Sequence, residues 1–310
     1  MKTNTRTILL IFASLLLSFS YYSTGYSQNK VIQDSIKDIF PPVTIPNTEL
    51  RTLHSNLMDV DFNLYIKLPA GYLPDTGQVY PVWYFTDANR AFPLVANIAS
   101  LMEFPKSDVR DMVIVNIGYP IRDMSDWAAW RTRDLTPTNI PRVDSSWNST
   151  LKEMTGRTYD VKSGGAPLFL EFIINELFPF IEANYRVSSD RGLGGYSYGG
   201  LFTFYALFKH PEAFSRYYAG SPSLAWDKGV LFRYEEEYAA SHDDLNARVF
   251  MSIGKDEGEK SVANMQKMND QLLSRNYPDL TIQFYTFPDM EHRSCIPASV
   301  MRAFLVLYSE

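Results

Sequence analysis

The sequence predicts an α/β fold, a mostly parallel twisted sheet of about eight strands with helices on both faces. Short, almost wholly apolar runs at 82–85 and 112–117 are typical of strands buried on both faces of a parallel sheet. A helix-like segment, 93–104, lies between them and gives the strand–helix–strand order that a parallel crossover requires. The 310 residues, 45% of them hydrophobic, are enough for one large core.

The first 27 residues have the pattern of a secretory signal peptide. Lys2 and Arg6 precede the apolar run 8–17, and a stretch of small residues ends near Ser27. The run is too short for a comfortable membrane span, so we expect cleavage after Ser27, with an uncleaved amino-terminal anchor as the alternative. Residues 28–310 are then expected to form a single domain in the periplasm or outside the cell.

The charge balance narrows the classes of partner. Removing residues 1–27 takes away two positive charges and no acidic ones, which changes the net charge from −6 to about −8. An acidic surface argues against nucleic acid and anionic membranes as partners, and we expect no stable membrane insertion after cleavage. Cys295 is the only cysteine, so an intramolecular disulfide is excluded. The sequence carries no signal for an oligomeric state.

The remaining elements follow in chain order. Alternating apolar and polar residues over 61–68, stopped by Pro69, predict an antiparallel edge strand. Residues 119–165 are polar and lack clear periodicity, which predicts a long excursion over a functional site. A helix over 168–185, bent by Pro179, should lead to the next strand. Later segments predict strands at 217–219, 248–253 and 281–286, a helix between the last two with Val262, Met265, Met268 and Leu272 on one face, and a final helix opened by Pro297.

One five-residue pattern points to chemistry. Ser197 has a glycine two positions away on each side, Gly195 and Gly199, between a strand-like and a helix-like segment. This spacing resembles the nucleophile-elbow pattern of the α/β-hydrolases, in which a serine lies on a sharp strand-to-helix turn. The flanking residues must be small because the two backbones approach closely. The turn exposes the hydroxyl and directs the next N–H at a developing oxyanion, so it indicates acyl transfer, with a glycine-rich structural turn as the alternative.

A serine nucleophile needs a base, and histidine has a suitable pKa near neutrality. His292 follows the last predicted strand and precedes the final helix, which places it at the carboxyl edge of the sheet, where such folds carry active sites. An orienting carboxylate should follow the penultimate strand. We favour Glu257 there, with Asp256 or a carboxylate elsewhere as alternatives. The other histidines, His54, His210 and His242, are expected to be structural or solvated.

From about Asn56 to the carboxyl end, the chain resembles the putative-esterase family of α/β-hydrolases. That family contains siderophore trilactone esterases, feruloyl esterases, S-formylglutathione hydrolases and mycolyltransferases. Segment 80–88 looks like the family's strand ending in Asp-Gly, and 131–137 is similar to a segment of its periplasmic siderophore-esterase branch. The resemblance also includes the elbow, Ser221-Pro222-Ser223 and Glu291-His292.

The resemblance implies an α/β-hydrolase fold and a role for each candidate. Ser197 would be the nucleophile, His292 the base and Glu257 the carboxylate. The backbone N–H groups of Tyr198 and Asn89 would form the oxyanion hole. Ala88 stands where the family usually has glycine, which restricts the backbone beside Asn89. The reaction needs no metal and no organic cofactor.

Cationic and aromatic side chains are the candidate substrate contacts. Arg90, Arg131 and Arg133 are the cationic candidates, with solvated arginines as the ordinary alternative. Trp226 is the aromatic candidate, one of several tryptophans in segments predicted as loops (Trp127, Trp130, Trp147 and Trp226). We therefore expect an exported serine esterase acting on small-molecule esters, with catechol-bearing trilactones favoured over feruloyl or acetyl carbohydrate esters. An acyltransferase on the same scaffold and a non-catalytic binding protein are the alternatives.

Overall fold

The computed structural model describes residues 42–72, 77–103 and 108–309, so the predicted signal peptide lies outside the described residues. The described residues contain an eight-stranded sheet with the strand order β1-β2-β4-β3-β5-β6-β7-β8. Its strands are β1 (Thr48–Ser55), β2 (Val60–Lys67), β3 (Tyr80–Phe85), β4 (Val113–Gly118), β5 (Val187–Tyr196), β6 (Arg216–Gly220), β7 (Ala247–Gly254) and β8 (Leu280–Phe287). The predicted α/β-hydrolase fold class is confirmed.

Strands β3 to β8 are parallel to one another, whereas β2 is antiparallel to both β1 and β4. The antiparallel direction predicted for 61–68 is confirmed, but its position at the edge is wrong. Strand β1 covers that edge of β2, and its sequence, TELRTLHS, has no apolar alternation because several of its side chains face solvent. The patterning of β1 therefore resembles that of a loop.

Helices cover both faces of this sheet. They are α1 (Ala88–Glu103), α2 (Met124–Asp134), α3 (Pro141–Thr155), α4 (Ala166–Phe172), α5 (Phe178–Asn184), α6 (Tyr198–Lys209), α7 (Val230–Ala239), α8 (Glu259–Ser274) and α9 (Ile296–Tyr308). Side chains of α1 and α9 pack on one face of the sheet, and those of α2 to α8 pack on the other. Successive residues of β3 enter the two cores in turn, because side chains alternate across a strand: Val82 and Tyr84 enter one and Trp83 and Phe85 the other.

The helix predicted over 168–185 is α4 and α5, joined by a π-helical turn, Ile173–Leu177. The irregularity lies just before Pro179, where the backbone lacks an N–H donor. The helix predicted between the last two strands is α8, which buries Met265, Met268 and Leu272, and Pro297 lies in the first turn of α9. No helix within the described ranges is long and apolar enough to cross a bilayer.

The excursion 119–165 differs from the prediction in its local structure, because α2 and α3 occupy much of it. Trp127, Trp130 and Trp147 therefore lie on helices and not in loops. The apolar periodicity of α2 is weak because the helix buries polar and charged side chains: Ser125, Asp126, Arg131, Thr132 and Asp134. Ion pairs and hydrogen bonds replace part of the apolar packing that sequence patterning detects.

Candidate active site

Ser197 occupies a tight turn between the end of β5 and the start of α6. Its backbone has φ 61° and ψ −113°, in the positive-φ region that is strained for a residue with a side chain. A Cβ added at Gly195 would lie 2.4 Å from the Gly199 carbonyl carbon, and one at Gly199 would lie 2.3 Å from Thr86 Oγ1. The crowding that the spacing of the glycines predicts is therefore present. The Ser197 N–H donates to the Gly220 carbonyl at 2.9 Å and ties the turn to β6.

His292 and Glu257 are hydrogen-bonded, with 2.6 Å between Nδ1 of the imidazole and Oε2 of the carboxylate. The two residues follow β8 and β7, so the carboxyl ends of neighbouring parallel strands bring them together. The Glu257 side chain is 5% exposed and that of His292 is 41% exposed. The neighbouring Asp256 is exposed. Of the two adjacent acids, Glu257 is the one in contact with the imidazole.

The second oxygen of Glu257 is held by donors of its own. Oε1 accepts hydrogen bonds from Ser221 Oγ at 2.6 Å and from the Gly254 N–H at 2.9 Å. Tyr196 adds its hydroxyl, 2.6 Å from Ser221 Oγ and 3.4 Å from Oε1. Burial by itself would raise the pKa of Glu257, but the bonds from His292, Ser221 and Gly254 outweigh it and hold that pKa below its ordinary value. The carboxylate is therefore ionised at neutral pH and fixed on both oxygens.

Ser221 is a site residue whose role the sequence did not assign. It appeared only within the Ser-Pro-Ser match, and a serine gives no sign in sequence of which carboxylate it will reach. Its backbone has φ 37°, and its N–H donates to the Ser252 carbonyl at 2.7 Å. Ser221 directly follows β6, and its hydroxyl reaches Glu257 from there.

Tyr196 connects the acid–base pair to the elbow. Its ring centroid lies 5.1 Å from that of His292, and it directly precedes Ser197 in the chain. The imidazole therefore lies beside the turn that carries the serine. Ser197, Glu257 and His292 are distant in sequence, and each follows the carboxyl end of a parallel strand: β5, β7 and β8.

The loops that carry Glu257 and His292 are held against each other. The Lys255 N–H donates to the Phe287 carbonyl at 2.8 Å, and the Asp256 N–H donates to the Met290 carbonyl at 3.0 Å. A Cβ at Gly254 would lie only 2.2 Å from the Met290 oxygen. The close approach of the two loops therefore requires glycine at position 254.

The two predicted oxyanion donors lie at helix amino termini. Tyr198 is the first residue of α6 and Asn89 the second residue of α1, positions at which backbone N–H groups have no partner within the helix. The side-chain amide of Asn89 donates to the Tyr119 carbonyl and accepts from the Tyr119 N–H, both at 2.9 Å. This double contact fixes the start of α1 against the end of β4. Ala88 is the first residue of α1, and the positive φ of this segment, 63°, falls on Asp87.

Asp87 and Arg131 form a buried ion pair next to this segment. Arg131 Nε and Nη2 donate to the two carboxylate oxygens at 2.8 and 2.9 Å, and the side chains are 9% and 11% exposed. Trp127 Nε1 donates to the same carboxylate at 3.0 Å. The guanidinium carbon lies 4.7 Å from the Trp127 ring centroid and 4.8 Å from that of Tyr198. Arg131 is thus a buried side chain paired with Asp87, whereas the sequence offered it as a candidate substrate contact or a solvated arginine.

The other candidate substrate contacts have different environments. Arg90 is exposed, with its guanidinium carbon 5.2 Å from the Trp127 ring centroid. Arg133 is 30% exposed, lies 5.1 Å from the Trp130 ring centroid and donates to the fully buried Asp134. Trp226 is 7% exposed. Its Nε1 donates to Thr138 Oγ1 at 3.1 Å, and its ring packs edge-on against Tyr198 at 5.3 Å.

The other three histidines have partners outside this cluster, and Cys295 lies near it. His54 contacts Asp61 at 2.8 Å, His210 contacts Glu212 at 3.1 Å, and His242 stacks on Tyr238 at 4.1 Å. Cys295 is buried, and burial with the nearby Glu257 charge raises its pKa to about 11. Within the described ranges, no group of at least three His, Cys, Asp or Glu side chains could hold a metal ion.

Comparisons with known proteins agree with this fold. Residues 55–282 match the family described as "Putative esterase". The ferri-bacillibactin esterase BesA of Bacillus subtilis is 30% identical over 270 residues, which cover 84% of this chain and 89% of that protein. The siderophore triacetylfusarinine C esterase of Aspergillus fumigatus is 30% identical over 210 residues, which cover 65% of this chain and 66% of that protein.

Solved structures of similar proteins have the same fold. The BES protein from Bacillus cereus superposes with a TM-score of 0.74 at 28% identity, covering 87% of this chain and 98% of that chain. An IroE-like serine hydrolase from Shewanella oneidensis superposes with a TM-score of 0.68 at 25% identity, covering 83% and 79%. The resemblance inferred from the sequence motifs is confirmed.

Proposed function

The chain belongs to the putative-esterase family and is a carboxylic ester hydrolase, and from this premise we propose that Ser197, His292 and Glu257 are its catalytic triad and trilactone siderophores its substrates. The observation that carries the proposal is the 2.6 Å bond between His292 Nδ1 and Glu257 Oε2 beside a strained serine elbow. A buried carboxylate fixing the imidazole at Nδ1 leaves Nε2 to exchange a proton with the serine.

The reaction proceeds through an acyl-enzyme. His292 Nε2 takes the hydroxyl proton of Ser197 as Oγ forms a bond to the ester carbonyl carbon. The carbonyl oxygen becomes an oxyanion, which accepts hydrogen bonds from the backbone N–H groups of Tyr198 and Asn89. The C–O bond to the alcohol then breaks, and the imidazolium returns its proton to the leaving alkoxide. Water repeats these steps and releases the acid, while Glu257 stabilises the imidazolium throughout.

Two lines of support favour a siderophore as the substrate. One is the names of the relatives, a ferri-bacillibactin esterase and a siderophore triacetylfusarinine C esterase. The other is the exposed Arg90 over Trp127 and the partly exposed Arg133 over Trp130, because paired cations and aromatic rings suit an anionic aromatic ligand such as a catecholate. Trp226, 7% exposed, acts as a wall of the site behind Tyr198.

A fluorophosphonate probe combined with a substrate panel tests the proposal. We expect the probe to label wild-type protein and to leave Ser197→Ala unlabelled, with both proteins showing the same melting temperature. The panel compares cyclic catechol trilactones, feruloyl esters, acetylated sugars and nitrophenyl esters, each with and without an added alcohol. Highest kcat/KM on the trilactone supports the proposal. Preference for a feruloyl or acetyl ester, or transfer to the alcohol, would contradict the substrate assignment, and tight binding without turnover would contradict catalysis.

The apolar run after Lys2 and Arg6 supports export of this enzyme to the periplasm or beyond the cell. Export and cleavage are tested by expression of the full chain in a Gram-negative host, followed by fractionation and intact mass measurement. We expect an exported form that begins at Gln28, and retention of the Leu15→Arg variant in the cytoplasm. An exported form that keeps residues 1–27 would contradict cleavage.

A further inference from the structure

We infer that Tyr196 is a positioning residue for the triad carboxylate, because its hydroxyl donates to Ser221 and so directs the Ser221 hydroxyl at Glu257. The inference rests on the proposed function, since it takes Glu257 and His292 as the acid and the base. Tyr196 is the last residue of β5 and is 8% exposed. Its hydroxyl acts on Oε1 of the carboxylate, whereas His292 binds Oε2.

The donors and acceptors of this chain follow from the groups themselves. An ionised carboxylate only accepts hydrogen bonds, so the 2.6 Å contact between Ser221 Oγ and Glu257 Oε1 uses the single proton of the serine hydroxyl. The 2.6 Å contact between Tyr196 Oη and Ser221 Oγ then uses the tyrosine proton, because Ser221 has no second proton to donate. The order of donation is therefore Tyr196 to Ser221 to Glu257.

The route through Ser221 is shorter than the direct contact. Tyr196 Oη lies 3.4 Å from Glu257 Oε1, which is longer than an ordinary O–H···O hydrogen bond. Each of the two bonds through Ser221 measures 2.6 Å. The tyrosine hydroxyl has one proton, so it goes to the nearer acceptor.

The other titratable groups near Glu257 are compatible with this order. Burial raises the pKa of Tyr196 on β5 and of Tyr218 on β6, and it raises the pKa of Cys295, just before α9, to about 11. All three groups are therefore protonated and neutral near pH 7. The base, His292, binds the other carboxylate oxygen. The negative charge of Glu257 is thus the acceptor at the end of the chain.

Donation by Tyr196 should strengthen the next hydrogen bond, since hydrogen bonds in series inside a protein polarise one another. It also fixes the rotation of the Ser221 hydroxyl, whose proton is otherwise free to turn about the C–O bond. Oε1 is then held in one place, and Oε2 stays 2.6 Å from His292 Nδ1. Tyr196 therefore acts on the imidazole through Ser221 and Glu257 in turn.

Phenylalanine at position 196 separates this effect from packing. The ring of Tyr196 also contacts the base, with 5.1 Å between its centroid and that of His292 and 58° between the ring planes. Tyr196→Phe keeps the aromatic ring and removes only the hydroxyl. Any change in this variant therefore reports on the hydrogen bond to Ser221.

Loss of the hydroxyl should lower kcat at neutral pH and leave KM nearly unchanged. A carboxylate that receives weaker hydrogen bonds is more basic, so Glu257 should stabilise the imidazolium of His292 more strongly. The acid limb of the profile of kcat/KM against pH should then move to higher pH, because more of the base is already protonated. We expect kcat of Tyr196→Phe to fall by about three- to tenfold, with KM within about twofold of wild type.

The experiment measures kcat and KM on a nitrophenyl ester across the acid limb for wild type, Tyr196→Phe, Ser221→Ala and the double variant. Each protein is normalised by fluorophosphonate titration of the folded fraction. The double variant should lose no more kcat than Ser221→Ala alone, because the chain is already interrupted at Ser221. Losses that multiply would mean that the two hydroxyls act independently, and this would overturn the inference.

Proton NMR adds a direct readout of the acid–base pair. The proton between His292 Nδ1 and Glu257 Oε2 should give a resonance at low field, because the hydrogen bond is short and charge-assisted. We expect this resonance to move in Tyr196→Phe as the carboxylate becomes more basic. An unchanged resonance together with an unchanged acid limb would show that Tyr196 does not act on the pair.

Tyr308→Phe is the matched control for the loss of a buried tyrosine hydroxyl. Tyr308 lies on α9 and is fully buried, and its hydroxyl has no hydrogen-bond partner within the described ranges. We expect kcat, the acid limb and the low-field resonance of this variant to match those of wild type. Equal losses of kcat in Tyr308→Phe and Tyr196→Phe would assign the effect to general loosening of the core and overturn the inference.

A rise in KM with kcat unchanged would also overturn the inference, because it would make Tyr196 a substrate contact. Failure of the proposed function has a different signature. It would appear as turnover by Ser197→Ala, whatever the behaviour of Tyr196→Phe.

Discussion

Glu257 and Asp256 are adjacent acids, yet only Glu257 contacts the imidazole. Its carboxylate lies 2.6 Å from His292 Nδ1, whereas Asp256 is exposed. We expect Glu257→Gln to lower kcat by about a thousandfold or more, because the amide cannot stabilise the imidazolium. Asp256→Asn should change kcat by less than about threefold, in line with a solvated surface charge. Steady-state kinetics of the two variants decide the assignment, and a larger loss in Asp256→Asn would make Asp256 the acid.

A substitution at Ser221 tests the pKa of Glu257 while the Glu257 side chain itself is unchanged. Ser221→Ala removes the 2.6 Å hydrogen bond to Glu257 Oε1, a bond to a charged group that is worth about 1.5–3 kcal/mol. The pKa of Glu257 should therefore rise towards its ordinary value, 4.5. We expect kcat at neutral pH to fall by about tenfold, with Ser221→Thr retaining more activity because it keeps the hydroxyl.

The same pKa shift links the stability of the fold to acid pH. A carboxylate whose folded pKa is depressed adds stability that is present above its unfolded pKa and is lost as the pH falls through the folded value. For Glu257 that window begins near 4.5 and extends to lower pH. Urea unfolding of wild type and Ser221→Ala should therefore differ at pH 7 and converge as the pH falls towards 3. A difference independent of pH would mean that Ser221 acts through packing alone.

Between neighbouring elements, Gly254 sets the distance from the β7 loop to the β8 loop. A methyl group there would lie 2.2 Å from the Met290 carbonyl oxygen, so Gly254→Ala must push the loops of Glu257 and His292 apart. We expect a loss of about 1–3 kcal/mol in unfolding free energy and a fall in kcat of about tenfold or more. Gly71→Ala is the control, because nothing lies within 4 Å of its added methyl group and stability should change by less than about 1 kcal/mol. Equal effects of the two substitutions would contradict a steric role.

Sequence patterning missed elements whose side chains are largely exposed or whose buried side chains are polar or charged. Strands such as β4 were predictable because all their residues are buried and nearly all are apolar. In contrast, β1 exposes several of its side chains, and α2 buries Asp126, Arg131 and Asp134 through ion pairs. Hydrophobic periodicity cannot detect such elements, because the partners that make their burial favourable come from other parts of the chain.

Across the full sheet, the positions of the candidate triad were predictable and their supporting contacts were not. Parallel strands direct their carboxyl ends to one edge of the sheet, so residues that follow β5, β7 and β8 are expected at that edge. Which side chains would reach Glu257 or Asp87 depends on rotamers and on strained turns at Ser221 and Asp87, with φ of 37° and 63°. A sequence pattern records residue types and spacing, and it contains no information on these torsions.

The outermost position of β8 has a consequence for how the enzyme should inactivate. Within the described ranges, β8, which precedes His292, pairs with β7 alone, whereas β5, which precedes Ser197, lies in the interior of the sheet. Strands at the edge of a sheet unfold at a lower denaturant concentration than central strands. In a urea titration, hydrolysis should therefore vanish before the helical circular dichroism signal declines, and coincident midpoints would contradict this order. The segment that carries the imidazole would unfold first, and the remaining fold would keep the Ser197 hydroxyl without its base.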